Sequence, residues 1–334
     1  MGNLKRSISV VIPLFNGEQW IFETLSKLFT SLSRSSWAVS EIVVVDDGST
    51  DKSSLEILRF NEEHKSKVKI VTQNNRGRLI ARIRGLEACS GELILFLDTR
   101  VHLDSESLNH AYSITESENA LTCHVNYSEQ APLVGFFWSA AEKIFWSEYW
   151  NDPKDSRITL DNFDNFPKGT TSLILRRDLA VEAFTNFKPS VSNLQNASDD
   201  TQPLCLIAEK YGIFISPKYS ATYNPRNNLN GSLKHAFHRG VVFYDGHITR
   251  SSDLWKKLLS VTAFSLVFGV LVLNFIPVGY FIVALLIIDT LLPIAVYKSI
   301  RWKPWISLNI YLIPFMIAWS LGLVKTAFKV DGKD

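Results

Sequence analysis

Three acidic clusters stand where chemistry is easiest to build. The run Ile42 to Val45 ends in Asp46-Asp47-Gly48-Ser49-Thr50-Asp51, the run Leu93 to Leu97 ends in Asp98-Thr99-Arg100, and Asp199-Asp200 precedes a helical stretch. Carboxylates at strand ends accept hydrogen bonds from a base N–H and from ribose hydroxyls, or hold a divalent cation that bridges a diphosphate. A purely structural role competes at each place. Ser49, Thr50 or Asp51 can cap the helix that follows, and Ser198 or Asp199 ahead of Pro203 also reads as a helix start. His102, four residues beyond Asp98, is either a metal ligand or an ordinary loop histidine.

These clusters need a scaffold. Ser7 to Pro13 (SISVVIP) and Glu41 to Asp46 (EIVVVD) are short β-branched runs separated by a helical pattern from Trp20 to Leu32, which makes a strand-helix-strand unit. Their uninterrupted apolar character implies a parallel sheet covered on both faces. Lys67 to Val71 and Glu92 to Leu97 extend the sheet, with a helix from Arg78 to Cys89 between them. Ligands of open α/β sheets sit at the carboxyl ends of strands, which singles out Pro13 to Asn16, Asp46 to Asp51, Asn74 to Arg82 and Asp98 to Asp104.

The 334 residues include 35 Lys+Arg against 33 Asp+Glu and are 46% apolar, which excludes a disordered chain and any general electrostatic pull towards nucleic acid. Cys89, Cys123 and Cys205 lie far apart, with neither disulfide-framework nor zinc-site spacing, which suits a reducing compartment. The start, MGNLKRSISVVIPLFNG, has too short an apolar stretch for a signal peptide. Near the other end, Leu258 to Tyr297 carries a single charge, Asp289, and Pro304 to Val324 carries none. About 20 apolar residues cross a bilayer core, so the first run suffices for two spans turning at Asn274 to Gly279. The second suffices for one, unless Pro314 breaks it. Lys256 and Lys257 before the first span, and Lys298, Arg301 and Lys303 after the second, put both flanks on the cytoplasmic side, and the N-terminal region with them. Seven aromatics between Phe136 and Trp150 place Trp138, Trp146 and Trp150 near one helical face, at a membrane surface or in a packed core.

In their order and spacing, VVIPLFNGEQWIFETL, EIVVVDDGSTDKS, NNRGRLIARIRGLEACSGELILFLD and SDDTQPL resemble the blocks of family 2 glycosyltransferases of the GT-A fold, from Ser7 to about Tyr223. The resemblance implies an α/β GT-A nucleotide-sugar-binding domain, a mostly parallel sheet between helices, followed by an α-helical transmembrane region. It implies an inverting transferase whose donor site falls on Pro13, Phe15, Glu18, Asp46, Asp47, Gly77, Arg82 and Asp98. The family carries Asp-x-Asp, with Mg²⁺ or Mn²⁺ held against the diphosphate, where this chain has Asp98-Thr99-Arg100. Either Arg100 pairs with the diphosphate in place of the ion, or Asp98 holds a metal with His102 or with the phosphates alone. Ile83 is a second departure, where the family usually has Asn. Pro167 to Arg177 resembles the acceptor-side block, and Asp199-Asp200 the acidic pair. By that alignment Asp200 is the base that takes the acceptor's hydroxyl proton, with Asp199 as its neighbour.

His235-Ala-Phe-His238-Arg239-Gly240 partly matches a Gln-x-x-Arg-Trp or Gln-x-x-Arg-x-Gly segment that closes over the donor diphosphate in lipid-linked and processive members, which adds Arg239 to the donor site. A basic stretch ahead of a span equally suits anionic headgroups. The expected organisation is a cytosolic GT-A domain over 1–228, a juxtamembrane coupling segment over 229–253, and a transmembrane region of two or three helices over 254–334. That plan looks like the succinoglycan-type transferases. It implies transfer from a UDP- or GDP-linked sugar to a lipid-linked, polyprenyl-diphosphate-type acceptor at the cytoplasmic face of a prokaryotic cell membrane. A polyprenyl-phosphate sugar synthase and a catalytically silent membrane scaffold are the alternatives.

Overall fold

The computed structural model describes residues 5–186, 189, 191, 193–248 and 301–330. They divide into two compact units, one of Met1–Glu129 with Pro153–Pro225, the other of Gln130–Asp152 with Arg226–Asp334.

The first unit is built on strands β1 (Ser7–Leu14), β2 (Ala38–Asp46), β3 (Lys69–Thr72), β4 (Leu93–Leu97), β5 (Val101–Leu103), β6 (Ala120–Tyr127), β7 (Ser156–Ile158), β8 (Ser172–Arg176) and β9 (Ile213–Tyr223). They form one sheet in the order β3-β2-β1-β4-β8-β6-β9-β5, with β7 also paired to β9. The first four are parallel, as their apolar runs predict. Beyond β4 the direction changes. β8 runs antiparallel to both β4 and β6, and β5 and β7 run antiparallel to β9, so that β6 with β9 is the parallel pair of this half. The sheet is mixed rather than mostly parallel. The long connection from Leu97 to Ser172 brings the chain back beside β4 from the opposite end, and no local residue pattern encodes that return.

Helices α1 (Ile21–Ser33), α2 (Ser53–His64) and α4 (Ser107–Ile114) cover one face of the sheet, and α3 (Arg78–Glu87), α7 (Arg177–Thr185) and α8 (Thr201–Lys210) the other. Alternation along β1 serves both faces: Ile8, Val10 and Ile12 join the core beneath α1 and α2, while Val11 meets α3. The result is a sheet whose carboxyl edge at β1, β2 and β4 is rigidly backed on both sides.

The second unit is helical, with α5 (Phe136–Phe145), α6 (Ser147–Asn151), α9 (Leu229–Phe243) and α10 (Trp302–Val330). Val134, Phe137, Ala140, Ala236, Leu308 and Phe315 form its core. The aromatic segment does not form the single helix its spacing suggests, because Trp146 leaves the helical region at φ −113°, ψ 41° and separates α5 from α6. In contrast, α10 runs through Pro314 without a break. Its stretch Trp302–Thr326, 25 residues with mean hydropathy 1.7, is long and apolar enough to cross a membrane by length and composition. The run Leu258 to Tyr297, with Asp289, Lys256, Lys257 and Lys298, lies outside the described residues.

Candidate active site

The loops that follow β1 and β2 are zipped together. Asn16 N–H donates to Ser49 Oγ (3.0 Å), Gly17 N–H to Ser53 Oγ (2.8 Å) and Glu18 N–H to Asp51 Oδ2 (3.1 Å). In return, Thr50 N–H donates to Asn16 Oδ1 and Lys52 N–H to Glu18 Oε2, both at 2.8 Å. Glu18 thus spends one carboxylate oxygen on the start of α2. Asp46 is buried, its Oδ1 accepting from Ser49 N–H (2.8 Å) and its Oδ2 from the Ser54 hydroxyl (2.7 Å). These two bonds build the turn that follows β2. Asp47, equally buried, accepts from Gln73 Nε2 (2.7 Å), Arg76 N–H (2.7 Å) and Gly77 N–H (2.9 Å), and so carries the next loop. Pro13 is buried within β1, while Phe15 at the strand end leaves 50% of its surface open.

Gly77 turns this loop into α3. At φ +90° it occupies a region that side chains rarely adopt, and an added Cβ would fall 2.8 Å from Gln195 Cα. The helix it starts carries Arg78 and Arg82. Arg82 has no solvent exposure; its Nη2 donates to Asp98 Oδ1 at 2.8 Å and its Nη1 donates to Asp199 Oδ2. Arg78, about half exposed, pairs with the other oxygen of Asp199 (Nη2 to Oδ1, 3.2 Å). Burial pushes both carboxyls up. At Asp98 that effect prevails over the opposing Arg82 and Arg78 charges, whereas at Asp199 the Arg78 and Arg82 guanidiniums outweigh it and hold the carboxyl below its ordinary range. Arg78 is in turn raised, chiefly by Asp199, with Asp98, Asp200 and Tyr223 adding to it against burial.

Asp200 sits at the N-cap of α8. Its Oδ1 accepts from Thr201 N–H (2.6 Å), Thr201 Oγ1 (3.1 Å) and Ser198 Oγ (3.0 Å). Its Oδ2 has no donor among the described residues. The capping and the chemical readings are therefore compatible, one on each oxygen.

Arg100 and His102 keep different company. The Arg100 guanidinium stacks 5.2 Å from the Trp20 ring centroid and directs Nη1 to the Asn224 carbonyl at 3.5 Å. His102 Nδ1 meets Asn224 Nδ2 at 3.1 Å, and its Nε2 is buried without a partner among the described residues. Burial lowers the pKa of both side chains. The charges His102 feels are Glu23 and Lys27, whereas those at Asp98 are Arg82, Arg78 and Asp199. His102 is held beside Asn224, whereas Asp98 is held by Arg82.

Among the described residues no three His, Cys, Asp or Glu side chains gather as a metal cage. Asp98 offers one uncommitted oxygen, and both oxygens of Asp199 are engaged. Such a donor set fits an ion that substrate phosphates and water complete, the usual manner of magnesium. Arg239, in the helical unit, lies over the Trp138 ring at 4.4 Å.

Asn16 and Arg78 fall within the strand-end segments that the sequence marks, but no role is legible there for either, and Ser53 lies outside those segments. Asn16, at φ +49°, stands two residues beyond the end of β1, and an Asn there is a turn signal. Arg78 had no signal beyond its place after Gly77, because its acidic partners are remote in sequence.

The sequence profile of Glycosyl transferase family 2 matches residues 9–180, slightly more than half of the chain. The chain belongs to glycosyl transferase family 2. The family match covers Asp46, Asp47, Arg82 and Asp98 and ends before Asp199 and Asp200. Within the family, the chain is 35% identical over 98 residues to YibD, an uncharacterized glycosyltransferase of Escherichia coli (strain K12), covering 29% of this chain and 27% of that protein. It is 31% identical over 116 residues to the cholesterol galactosyltransferase of Borreliella burgdorferi, covering 35% of this chain and 31% of that one. The chain thus spans about a quarter to a third of the length of these two relatives. In structure it is similar to the mannosyltransferase PcManGT from Pyrobaculum calidifontis, in complex with GDP-Man and Mn²⁺, with a TM-score of 0.57 at 15% identity over 98% of this chain and 88% of that one. At that identity the likeness speaks for the GT-A fold alone.

Proposed function

We propose that the chain is a membrane-bound inverting glycosyltransferase that moves one sugar from a nucleotide donor to a lipid-linked acceptor. The observation that carries the reading is the convergence of Asp98 and Asp199 on Arg82, with the open oxygen of Asp200 one residue further on. In the transfer the bond from sugar C1 to the diphosphate oxygen breaks, and its electron pair stays on the leaving diphosphate. The acceptor hydroxyl oxygen bonds to C1 from the opposite face and gives its proton to Asp200 Oδ2. Burial of Asp199 between two guanidiniums keeps it ionised but occupied, which suits a positioning neighbour and leaves the proton to Asp200. A divalent cation, when bound, neutralises diphosphate charge, and Asp98 is the residue that would hold it. PcManGT, which shares the fold, is in complex with Mn²⁺ and GDP-Man, in keeping with use of such an ion. Phe15, exposed at the end of β1, and the loop carried by Asp47 border the place for the base.

The membrane part of the proposal rests on α10, whose Ile310, Ile313, Ile317, Leu321 and Val324 are exposed at three- and four-residue spacing, and on the apolar residues 258–297. A protein held in the bilayer searches for a greasy acceptor in two dimensions.

The test is nucleotide release from UDP- and GDP-sugars in the presence of lipid extract, for wild type and Asp200→Asn. Asn caps a helix as well as Asp does, so the variant should fold and bind donor while losing about 10²- to 10⁴-fold in turnover, the worth of a general base. Wild type and variant equally inert with every donor would leave a silent scaffold. Transfer to bare polyprenyl phosphate would move the acceptor from a lipid-linked sugar to the lipid phosphate itself.

A further inference from the structure

We propose that Arg78 holds the leaving diphosphate of the donor, the role that one of the two readings of the sequence offers to Arg100. The proposal rests on the glycosyltransferase reading of the same rim. Three arginines approach Asp98, and their situations differ. Arg82 is wholly buried with both terminal nitrogens spent on Asp98 and Asp199. Arg100 lies against Trp20 and points its Nη1 at the Asn224 carbonyl. Arg78 makes one ion pair, to Asp199 Oδ1, and has 47% of its side chain in solvent. Guanidinium carries five N–H donors, so most of those on Arg78 remain open to a ligand among the described residues.

Charge balance asks for such a group. Asp98, Asp199 and Asp200 bring three negative charges to one rim, and Arg82 cancels one of them. Arg82 alone does not balance these carboxylates, so every further cation at the rim, a bound divalent ion included, favours an arriving diphosphate. Arg78 is such a cation, and the Asp199 charge holds it firmly protonated. It stands at the first residue of α3, a helix of 10 residues, where the peptide dipoles add to the attraction for an anion. The position is fixed from below: Asp47 accepts from Gly77 N–H at 2.9 Å, and the positive φ of Gly77 sets the direction in which the helix begins. Asp47 is thereby a positioning residue for Arg78.

Guanidinium grips a diphosphate through paired N–H donors, and as the C1–O bond breaks the growing charge on the phosphate oxygen strengthens those contacts. The experiment compares equilibrium binding of UDP and UMP, and of GDP and GMP, to the full-length protein, for wild type, Arg78→Gln, Arg78→Lys and Arg84→Ala. Arg84, exposed on the same helix and paired with Glu87, controls for loss of a surface cation. Wild type should prefer the diphosphate of its base over the monophosphate. Arg78→Gln should lose about tenfold in diphosphate affinity while keeping monophosphate affinity, Arg78→Lys should lose less, and Arg84→Ala should match wild type. Equal losses for monophosphate and diphosphate in Arg78→Gln would assign Arg78 a merely structural role and overturn the proposal, as would unchanged diphosphate affinity. Binding of neither UDP nor GDP by wild type would overturn it together with the donor reading on which it stands.

Discussion

Arg82 donates to Asp98 across 2.8 Å from a position with no solvent exposure, and the same guanidinium reaches Asp199 with its other terminal nitrogen. One side chain thus ties the end of β4 to the start of α8. Removing it leaves two carboxylates facing each other in a buried place. Arg82→Ala should cost about 3–5 kcal/mol, the range for breaking a buried ion pair on one side. Arg82→Lys should recover little, because an ammonium cannot span two separate acceptors as a planar fork does. Chemical denaturation of the three proteins measures this, and a lysine variant as stable as wild type would refute the bridging role.

The Asp199 carboxyl gives this bridge a pH dependence. Burial alone would raise its pKa, but Arg78 and Arg82 hold it below the unfolded value of about 3.9. The folded state then binds fewer protons than the unfolded chain, so stability rises with pH through that window. The contribution is complete above about pH 5 and is lost as pH falls through the lower, folded value. Asp199→Asn should therefore be destabilised at pH 7, and its deficit relative to wild type should shrink below about pH 4. A deficit that stays constant from pH 7 to pH 3 would mean that the ion pairs contribute nothing.

Much of this frame was legible in the residues. The uninterrupted Val and Ile runs of β1, β2 and β4 encode buried parallel strands, and polar residues just beyond them mark the ligand edge. Partner choice was not legible. Whether Asp46 binds a ligand or builds its own turn depends on Ser49 and Ser54, and what Asp47 does depends on backbone groups near Gly77, contacts that only the folded chain reveals. The same holds for Arg100, whose stack on Trp20 and contact with the Asn224 carbonyl no local residue pattern announces. Strand direction beyond β4 depends on a long connection and leaves no periodic trace.

The donor set at Asp98 predicts how metal matters. With one carboxylate oxygen available, an ion would be held chiefly by the donor's own phosphates, so its apparent affinity should be weak without nucleotide and improve when nucleotide is added. EDTA should abolish turnover and Mn²⁺ or Mg²⁺ should restore it, while Asp98→Asn should raise the metal concentration needed for half-activation about tenfold, as for loss of one supporting ligand. Full activity in EDTA would show that the arginines alone suffice.

Gly240 belongs to a pattern whose family counterpart closes over the diphosphate, yet the helical unit supplies a packing reason for it. A Cβ there would lie 1.9 Å from the Trp319 carbonyl oxygen, and one on Gly322 would lie 2.0 Å from that of Phe237. The backbones of α9 and α10 touch at these two points, and Thr326 Oγ1 adds a hydrogen bond to the Val241 carbonyl at 3.3 Å. Small residues permit such a close approach of two helix backbones. Gly240→Ala must push the helices apart and should cost at least about 1–3 kcal/mol, the usual range for overpacking. Arg239→Ala, which removes an exposed cation from the Trp138 ring, should cost about 0.5–1 kcal/mol. Thermal unfolding in detergent ranks the two variants. If Gly240→Ala kept the stability of wild type and instead lost donor affinity, Gly240 would serve the diphosphate and not the helix crossing.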